Sequence, residues 1–190
     1  MSVAAEHAPT PAEARHRLAR NRLGLWMFII SESFLFAAVI SGRFYLLGSE
    51  RPEELNQPLG LAISFVLLSS SFTAYRGETY VAFGDRRWLR WIAATMGLGL
   101  VFLVGVVLEW REGLRYFPPD TPYGSAFFSL IGLHAFHVLT GLVVLGLVWR
   151  LGRRGRFGPA DHWPVEAAVK YWHFVDVAWV FIFPTVYLVR

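Results

Sequence analysis

The chain has 190 residues, and its mean hydropathy of +0.42, with 55% hydrophobic and 17% charged residues, is well above that of an ordinary water-soluble domain. It contains no cysteine, which excludes disulfides and thiolate metal sites. The net charge of +4 does not indicate nucleic-acid binding, because the basic residues lie mainly in links between apolar runs, where they meet anionic lipid headgroups. This composition is typical of an integral membrane protein.

Five apolar stretches are each long enough for a helix to cross a hydrocarbon core roughly 30 Å thick, which takes about 20 residues. They are predicted at residues 24–47, 59–80, 91–108, 125–149 and 165–189. The links between them are short and rich in Gly and Pro, so neighbouring helices run antiparallel and no soluble catalytic domain fits between them. The sequence therefore predicts an all-α bundle of five transmembrane helices.

The segment before the first apolar stretch is polar and lacks the apolar core of a secretory signal. We expect residues 1–22 to form a mobile cytoplasmic tail, in which Pro9 and Pro11 break any early helix, ahead of a membrane domain at residues 23–190. Arginines are concentrated in this tail and in the links that follow the second and fourth stretches. The positive-inside rule then predicts that the N-terminus is inside and the C-terminus outside.

The first stretch contains an acid, Glu32, about eight residues or roughly 12 Å from its start. A carboxyl group at this depth is either a proton-handling or lipid-facing acid, or a packing acid bonded to Ser31, Ser33 or a neighbouring helix. The side chains near it on the same helix face are apolar, among them Phe28 and Phe36. They would interrupt a proton path along this helix.

The second and third stretches carry polar groups of more ordinary kinds. Ser69, Ser70 and Ser71, with Thr73, are small hydroxyl residues that let helices approach closely, or line a polar channel. The third stretch ends in Glu109 and Trp110. A charge beside an aromatic anchor is typical of the outer membrane interface, so we predict an interfacial position for this pair.

The fourth and fifth stretches hold most of the ionisable residues at membrane depth. His134 and His137 share one helix face, and a second stripe at helical spacing follows the fifth stretch. That stripe consists of Glu166, Lys170, His173 and Asp176. Because the two helices are consecutive and antiparallel, we expect the stripes to face each other. Three chemistries fit such a set: a structural hydrogen-bond network, a bis-imidazole haem site and a metal site.

Five motifs, in this order and spacing, resemble subunit III of the haem–copper respiratory oxidases, the cytochrome c oxidase subunit III family. They are SESFLF around Glu32, LLSSSFTA, VLEW, YGSAFFSLIGLHAFHVLTG and YWHFVDVAW. The resemblance covers residues 24–190 and is to the short five-helix bacterial form. Val106 and Val107 stand where the family often has Gln.

This resemblance implies a non-catalytic subunit of a terminal oxidase in a bacterial inner membrane. That oxidase pumps protons and reduces oxygen to water. The haems and copper then lie in partner subunits, catalytic subunit I and subunit II among them, and none lies in this chain. The resemblance also implies two helices plus three around a lipid-filled cleft, and support for proton uptake. The first two helices are expected to pack together.

The resemblance gives the polar residues definite roles. It makes Glu32 the family's membrane-embedded glutamate, and it places Arg154 and His162 near a phospholipid headgroup. The remaining residues become an interhelical polar network: His134, His137, His173, Asp176 and Glu166. The alternative functions are an accessory membrane subunit of nitric oxide reductase, which shares the fold, and a stand-alone b-type cytochrome.

Overall fold

The computed structural model describes residues 10–47 and 56–189, and its regular structure in these ranges is helical. The five α-helices are α1 (Pro11–Leu47), α2 (Gln57–Ala82), α3 (Trp88–Tyr116), α4 (Pro122–Arg153) and α5 (Trp163–Phe183), and a π-helical turn (Pro184–Leu188) continues α5. All five are long and apolar enough to cross a membrane. The predicted all-α bundle of five transmembrane helices is confirmed.

Helix α1 begins well before the first predicted span. Thr10 and Glu13 form a capping box, in which the Glu13 carboxylate accepts from the Thr10 N–H at 2.7 Å and the Thr10 hydroxyl accepts from the Glu13 N–H at 3.3 Å. Pro11 occupies the first helical position, where its missing N–H has no cost. The part of the predicted tail that the structure describes is therefore helical from Pro11 onward, and Pro11 starts the helix instead of breaking it. Residues 1–9 of that tail lie outside the described residues.

Local capping residues set where α2 and α4 begin. The Asn56 side chain accepts from the Leu59 N–H at 3.1 Å, and the Thr121 hydroxyl accepts from the Gly124 N–H at 3.0 Å. The tight turn between α2 and α3 passes through Gly84, whose φ of +74° is easily adopted only by glycine. This turn makes α2 and α3 an antiparallel hairpin.

The grouping of the helices differs from the predicted two plus three. Helix α2 packs on α3 and α5, α3 on α4, and α4 on α5, whereas α1 lies against α4 and α5 instead of α2. The α2–α3 contact is close because Gly77 and Gly105 present no side chain where Ile92 and Ile63 approach. Helix α1 buries mainly Ile29, Phe36 and Arg43 and leaves most of its surface outward. Four helices thus form the core and α1 is attached to one side of it.

Two tryptophans of α5 fill the centre of the bundle. Trp172 and Trp179 are almost fully buried, and each indole N–H donates at 2.8 Å to a serine of α2, Ser70 and Ser64 respectively. Gly99 gives Trp172 its space, since a Cβ there would lie 2.6 Å from the ring. At Ser70 the hydroxyl serves a helix contact, one of the two roles that the sequence allowed.

Candidate functional site

Glu32 of α1 and His137 of α4 form a pair inside the membrane. The His137 Nε2 atom lies 3.2 Å from Glu32 Oε2, and its Nδ1 atom lies 2.7 Å from the carbonyl oxygen of Leu133. A carbonyl oxygen can only accept, so Nδ1 carries a hydrogen. The bond to Glu32 then needs one more proton, held either by the carboxyl group or by Nε2. This shared proton joins α1 to α4.

The other histidine of α4, His134, lies in an aromatic environment. Its ring is completely buried, with ring centroids 4.7 Å from Trp179 and 5.6 Å from Phe102. Within the described ranges neither ring nitrogen has a hydrogen-bond partner. The expected network does not reach His134, because the residue faces α3 and α5 while His137, three positions further, faces α1.

His173 and Asp176 of α5 turn toward α2 instead of α4. The Ser71 hydroxyl donates to the Asp176 carboxylate, and the Ser71 oxygen also lies 3.0 Å from His173 Nδ1. Since that hydroxyl uses its hydrogen on Asp176, it accepts from the Nδ1–H of His173. The three side chains form a directed chain of hydrogen bonds between α2 and α5, and no histidine of α4 takes part.

Glu166 belongs to a separate charged cluster near the start of α5. Its carboxylate lies 2.9 Å from Lys170 and 3.1 Å from Arg22, and Lys170 also lies 3.3 Å from Glu78 of α2. Glu166 is ten residues from Asp176, or about 15 Å along the helix. The cluster connects α1, α2 and α5, and the predicted single network is divided between separate contacts.

Glu109, for which the sequence predicts a position at the outer interface, is buried between the helices. It is 2% exposed, and its Oε1 atom accepts from the hydroxyl group of Tyr187 in the π-helical turn. Trp110, its neighbour, is half-buried and packs edge-on against Phe128 at 5.8 Å between ring centroids. Sequence patterns did not single out Tyr187, because an α-helical period does not predict the register of a π-turn.

The two residues that the resemblance assigns to a lipid headgroup, His162 and Arg154, lie in different surroundings. His162 lines a cleft of about 650 Å³ between the first turns of α1 and α5, together with Arg15, Arg17 and Arg22. Arg154 directly follows the last residue of α4, is exposed, and is not among the residues that line this cleft. The arginines of α1 were absent from the predicted site, and the lining also includes Asp161 and Glu166, which pairs with Arg22.

Comparison with known proteins identifies the family. Residues 12–189 match the family model described as Cytochrome c oxidase subunit III. The chain belongs to this family. It is 35% identical over 173 residues to the cytochrome c oxidase subunit 3 of Thermostichus vulcanus, covering 87% of this chain and 86% of the relative. It is also 34% identical over 188 residues to the probable quinol oxidase subunit 3 of Staphylococcus aureus, covering 92% and 91%.

A relative from Synechocystis also matches over most of both chains. Its cytochrome c oxidase subunit 3 is 32% identical over 193 residues, covering 96% of this chain and 82% of the relative. The subunit III family therefore matches all five helices, including the helical part of the predicted tail from residue 12 onward. The match does not depend on one motif.

The geometry also bears on the haem and metal alternatives. A bis-imidazole haem needs one His from each of two facing helices. In this member of the subunit III family, His134 is enclosed by aromatic rings, His137 faces Glu32 and His173 faces Ser71. Among the described residues no group of three or more His, Asp or Glu could hold a metal ion.

Proposed function

We propose that this chain is the non-catalytic subunit III of a haem–copper terminal oxidase, an oxidoreductase complex that reduces oxygen to water and translocates protons. The observation that carries the proposal is the family match over residues 12–189, which includes every described transmembrane helix. The relatives include subunits of both cytochrome c and quinol oxidases, so the proposal covers either donor. Neither a nitric oxide reductase subunit nor a stand-alone cytochrome is favoured by these matches.

The proposed role is to stabilise catalytic subunit I, with haems and copper held in subunits I and II. Helix α1 supports this role, because large apolar side chains such as Phe34, which is 72% exposed, cover its outer face. An apolar face of this kind packs on lipid or on another transmembrane protein. Subunit I and neighbouring phospholipids are the proposed occupants.

Bound phospholipid is the second part of the proposal. An apolar cleft of about 420 Å³ lies between α1 and α5, with Phe36, Ile40 and Phe181 among its lining residues, and would accommodate acyl chains. The cleft near the start of both helices would take phosphate at Arg15 and Arg17, since guanidinium groups bind phosphate oxygens in bidentate pairs. We place this end of the bundle, and the N-terminus, on the cytoplasmic side of a bacterial inner membrane.

The Glu32–His137 pair is proposed to support proton uptake indirectly. Phe28 and Phe36 lie one turn to either side of Glu32, and the Phe36 ring packs at a tilt of 54° against the His137 ring, with 4.9 Å between centroids. A relay along α1 needs polar groups or water at both of these positions. The pair therefore acts by holding α1 against α4 beside the catalytic subunit.

Purification of the assembled complex tests this function. The chain carries an affinity tag, membranes are dissolved in a mild detergent, and the haem and copper that co-purify are measured per mole of chain. We expect a haem–copper subunit in a one-to-one ratio, and oxygen reduction that is abolished by cyanide. A tagged multi-pass protein of unrelated function, expressed at the same level, is the control. A Soret band retained by the isolated chain, or co-purification with a nitric oxide reductase, would contradict the proposal.

A further inference from the structure

A groove on the outer surface of the bundle exposes a polar group at membrane depth. It lies between α2 and α5, has a volume of about 490 Å³, and is called here the His173 groove. Ser71, His173 and Asp176 form its hydrogen-bond chain, and its walls are Leu68, Phe72, Val177, Val180 and Tyr75, which also carries a phenol hydroxyl group. All five wall residues are between 44% and 61% exposed, so no described part of the chain covers them.

The hydrogen-bond chain in this groove determines which kind of partner the outward-facing atom, His173 Nε2, requires. Ser71 donates to Asp176 and accepts from His173 Nδ1, so in the neutral imidazole the hydrogen is on Nδ1 and Nε2 is an acceptor. Nε2 has no hydrogen-bond partner in the described part of the chain, and it is not among the buried polar atoms. The groove thus presents one free acceptor outward.

This acceptor lies near the middle of the membrane. Ser71 is about 21 Å from the first residue of α2 and about 16 Å from its last, at 1.5 Å per residue. A hydrocarbon core of roughly 30 Å leaves lipid headgroups far from this position. Acyl chains offer no hydrogen-bond donor, and polar groups at such depth face protein or water.

The exposed face of α1 differs in this respect. Its serines at this depth satisfy themselves: Ser31 donates to the carbonyl oxygen of Phe28 and Ser33 to that of Ile29, both at 2.8 Å. That face can therefore be covered by lipid alone. The His173 groove cannot, because an acceptor left without a donor in hydrocarbon is unfavourable.

We propose that the His173 groove receives a transmembrane helix of the oxidase's catalytic subunit, and that a side chain of this helix donates a hydrogen bond to His173 Nε2. Ser, Thr, Asn, Gln, Tyr and Trp carry suitable donors. Interhelical hydrogen bonds of this type are a usual means of association inside membranes. The inference rests on the proposed function, since it names a second surface, besides the outer face of α1, by which subunit III contacts its partner.

Site-specific photocrosslinking in the assembled complex tests the position of the partner. Val180 of the groove and Val143 on the outer surface of α4 are 49% and 57% exposed, and each is replaced in turn by p-benzoylphenylalanine. We expect the probe at position 180 to crosslink to one transmembrane segment of the haem-bearing subunit, at least fivefold more than the probe at position 143. Equal yields from both positions, or crosslinks at position 180 to lipid alone, would overturn the proposal.

Two substitutions at His173 test the hydrogen bond itself. In His173→Asn the amide group takes the place of Nδ1 and still reaches Ser71, but nothing replaces Nε2. In His173→Gln the amide extends toward the position of Nε2. We expect about a tenfold loss of subunit retention for the Asn variant during detergent washing of the complex, and at most a threefold loss for the Gln variant. Equal retention of both variants and the wild type would overturn the proposed contact.

Two further measurements separate the possible failures. The thermal unfolding midpoint of each purified variant shows whether the chain itself is destabilised. If the Asn variant has a lower midpoint than the Gln variant, and this difference accounts for the lost retention, the result counts against the proposal. Failure of the wild-type chain to co-purify with any haem–copper subunit overturns the proposed function, and the groove assignment with it. If the wild type co-purifies and the His173 variants behave like it, only the groove assignment fails.

Discussion

Helices α1 and α5 cross the same membrane but have opposite positions in the bundle. In the apolar stretch of α5, 56% of the residues are buried, against 11% in α1, although the stretch in α1 is the more apolar of the two. In water the more apolar helix would be the more buried one. In a membrane the lipid accepts apolar side chains, and the interior is marked by polar groups that need partners. Helix α5 carries Glu166, His173 and Asp176, and it is the central helix.

The largest expected difference between the two helices comes from replacing a tryptophan in each. Trp172→Ala removes a fully buried ring and leaves the Ser70 hydroxyl without its donor, and should lower the free energy of unfolding by about 3–5 kcal/mol. Trp26→Ala, at a side chain of α1 that is 52% exposed, should cost less than about 0.5 kcal/mol. Unfolding by denaturing detergent, followed by tryptophan fluorescence and circular dichroism, measures both. Similar losses for the two variants would contradict the comparison.

A smaller effect is expected where α5 meets α2 through hydrogen bonds. Ser71→Ala leaves both His173 Nδ1 and the Asp176 carboxylate without that partner, at about 1–3 kcal/mol for a buried group. Ser69→Ala is the matched control, because within the described ranges the Ser69 hydroxyl bonds only to the carbonyl oxygen of Phe65 in its own helix. Equilibrium unfolding should separate the two variants by at least 1 kcal/mol. Equal stability would show that the Ser71 chain contributes little.

The substitution Glu32→Gln tests whether α1 has only a peripheral, supporting role. The amide can still donate to His137 Nε2, so we expect the initial rate of oxygen reduction to change by less than about twofold, with a shorter lifetime during sustained turnover. An oxygen electrode measures both quantities on the same sample. A tenfold lower initial rate in a normally assembled complex, about 1.4 kcal/mol on the barrier, would place Glu32 directly on the proton path.

The smallest effect is expected in the α2–α3 link, outside the spans. The side-chain hydrogen bond from Arg87 lowers the pKa of Asp85, and the Arg87 N–H also donates to Asp85 at 2.8 Å. Because the folded pKa is the lower one, the stabilisation is present above the unfolded pKa of about 3.9 and is lost as the pH falls through the folded pKa. Asp85→Asn should therefore lower the thermal midpoint slightly at pH 7 and have no effect well below pH 3. A difference from wild type that persists in acid would assign the effect to the turn geometry.

Hydropathy and helical period predicted some features of this fold and not others. The five spans follow from the length of the apolar stretches, since lipid requires continuous helices. The neighbours of each helix do not follow, because a period shows which residues share a face but not which helix that face meets. The histidine and acidic stripes were located on their helices, yet His137 meets Glu32, and His173 meets Ser71.

Other differences come from backbone features that composition does not show. Pro11 breaks a helix from within but starts one at its first position, and the Thr10–Glu13 capping box decides between these roles. Glu109 beside Trp110 has the composition of an interface, and the contact of Glu109 with Tyr187 in the π-turn was not predicted. A capping box can be found by inspecting the sequence, whereas the π-turn cannot.

The shared proton of Glu32 and His137 determines how this pair responds to the membrane voltage. With the proton on the carboxyl group both side chains are neutral, and with it on the imidazole they carry opposite charges, so the sum is zero in each case. A transfer between them moves one charge by no more than the 3.2 Å that separates the two heavy atoms. That distance is about a tenth of a hydrocarbon core, so a potential of 100 mV changes the balance by at most about 0.2 kcal/mol. The pair can thus keep one proton arrangement while the voltage across the membrane rises and falls during respiration.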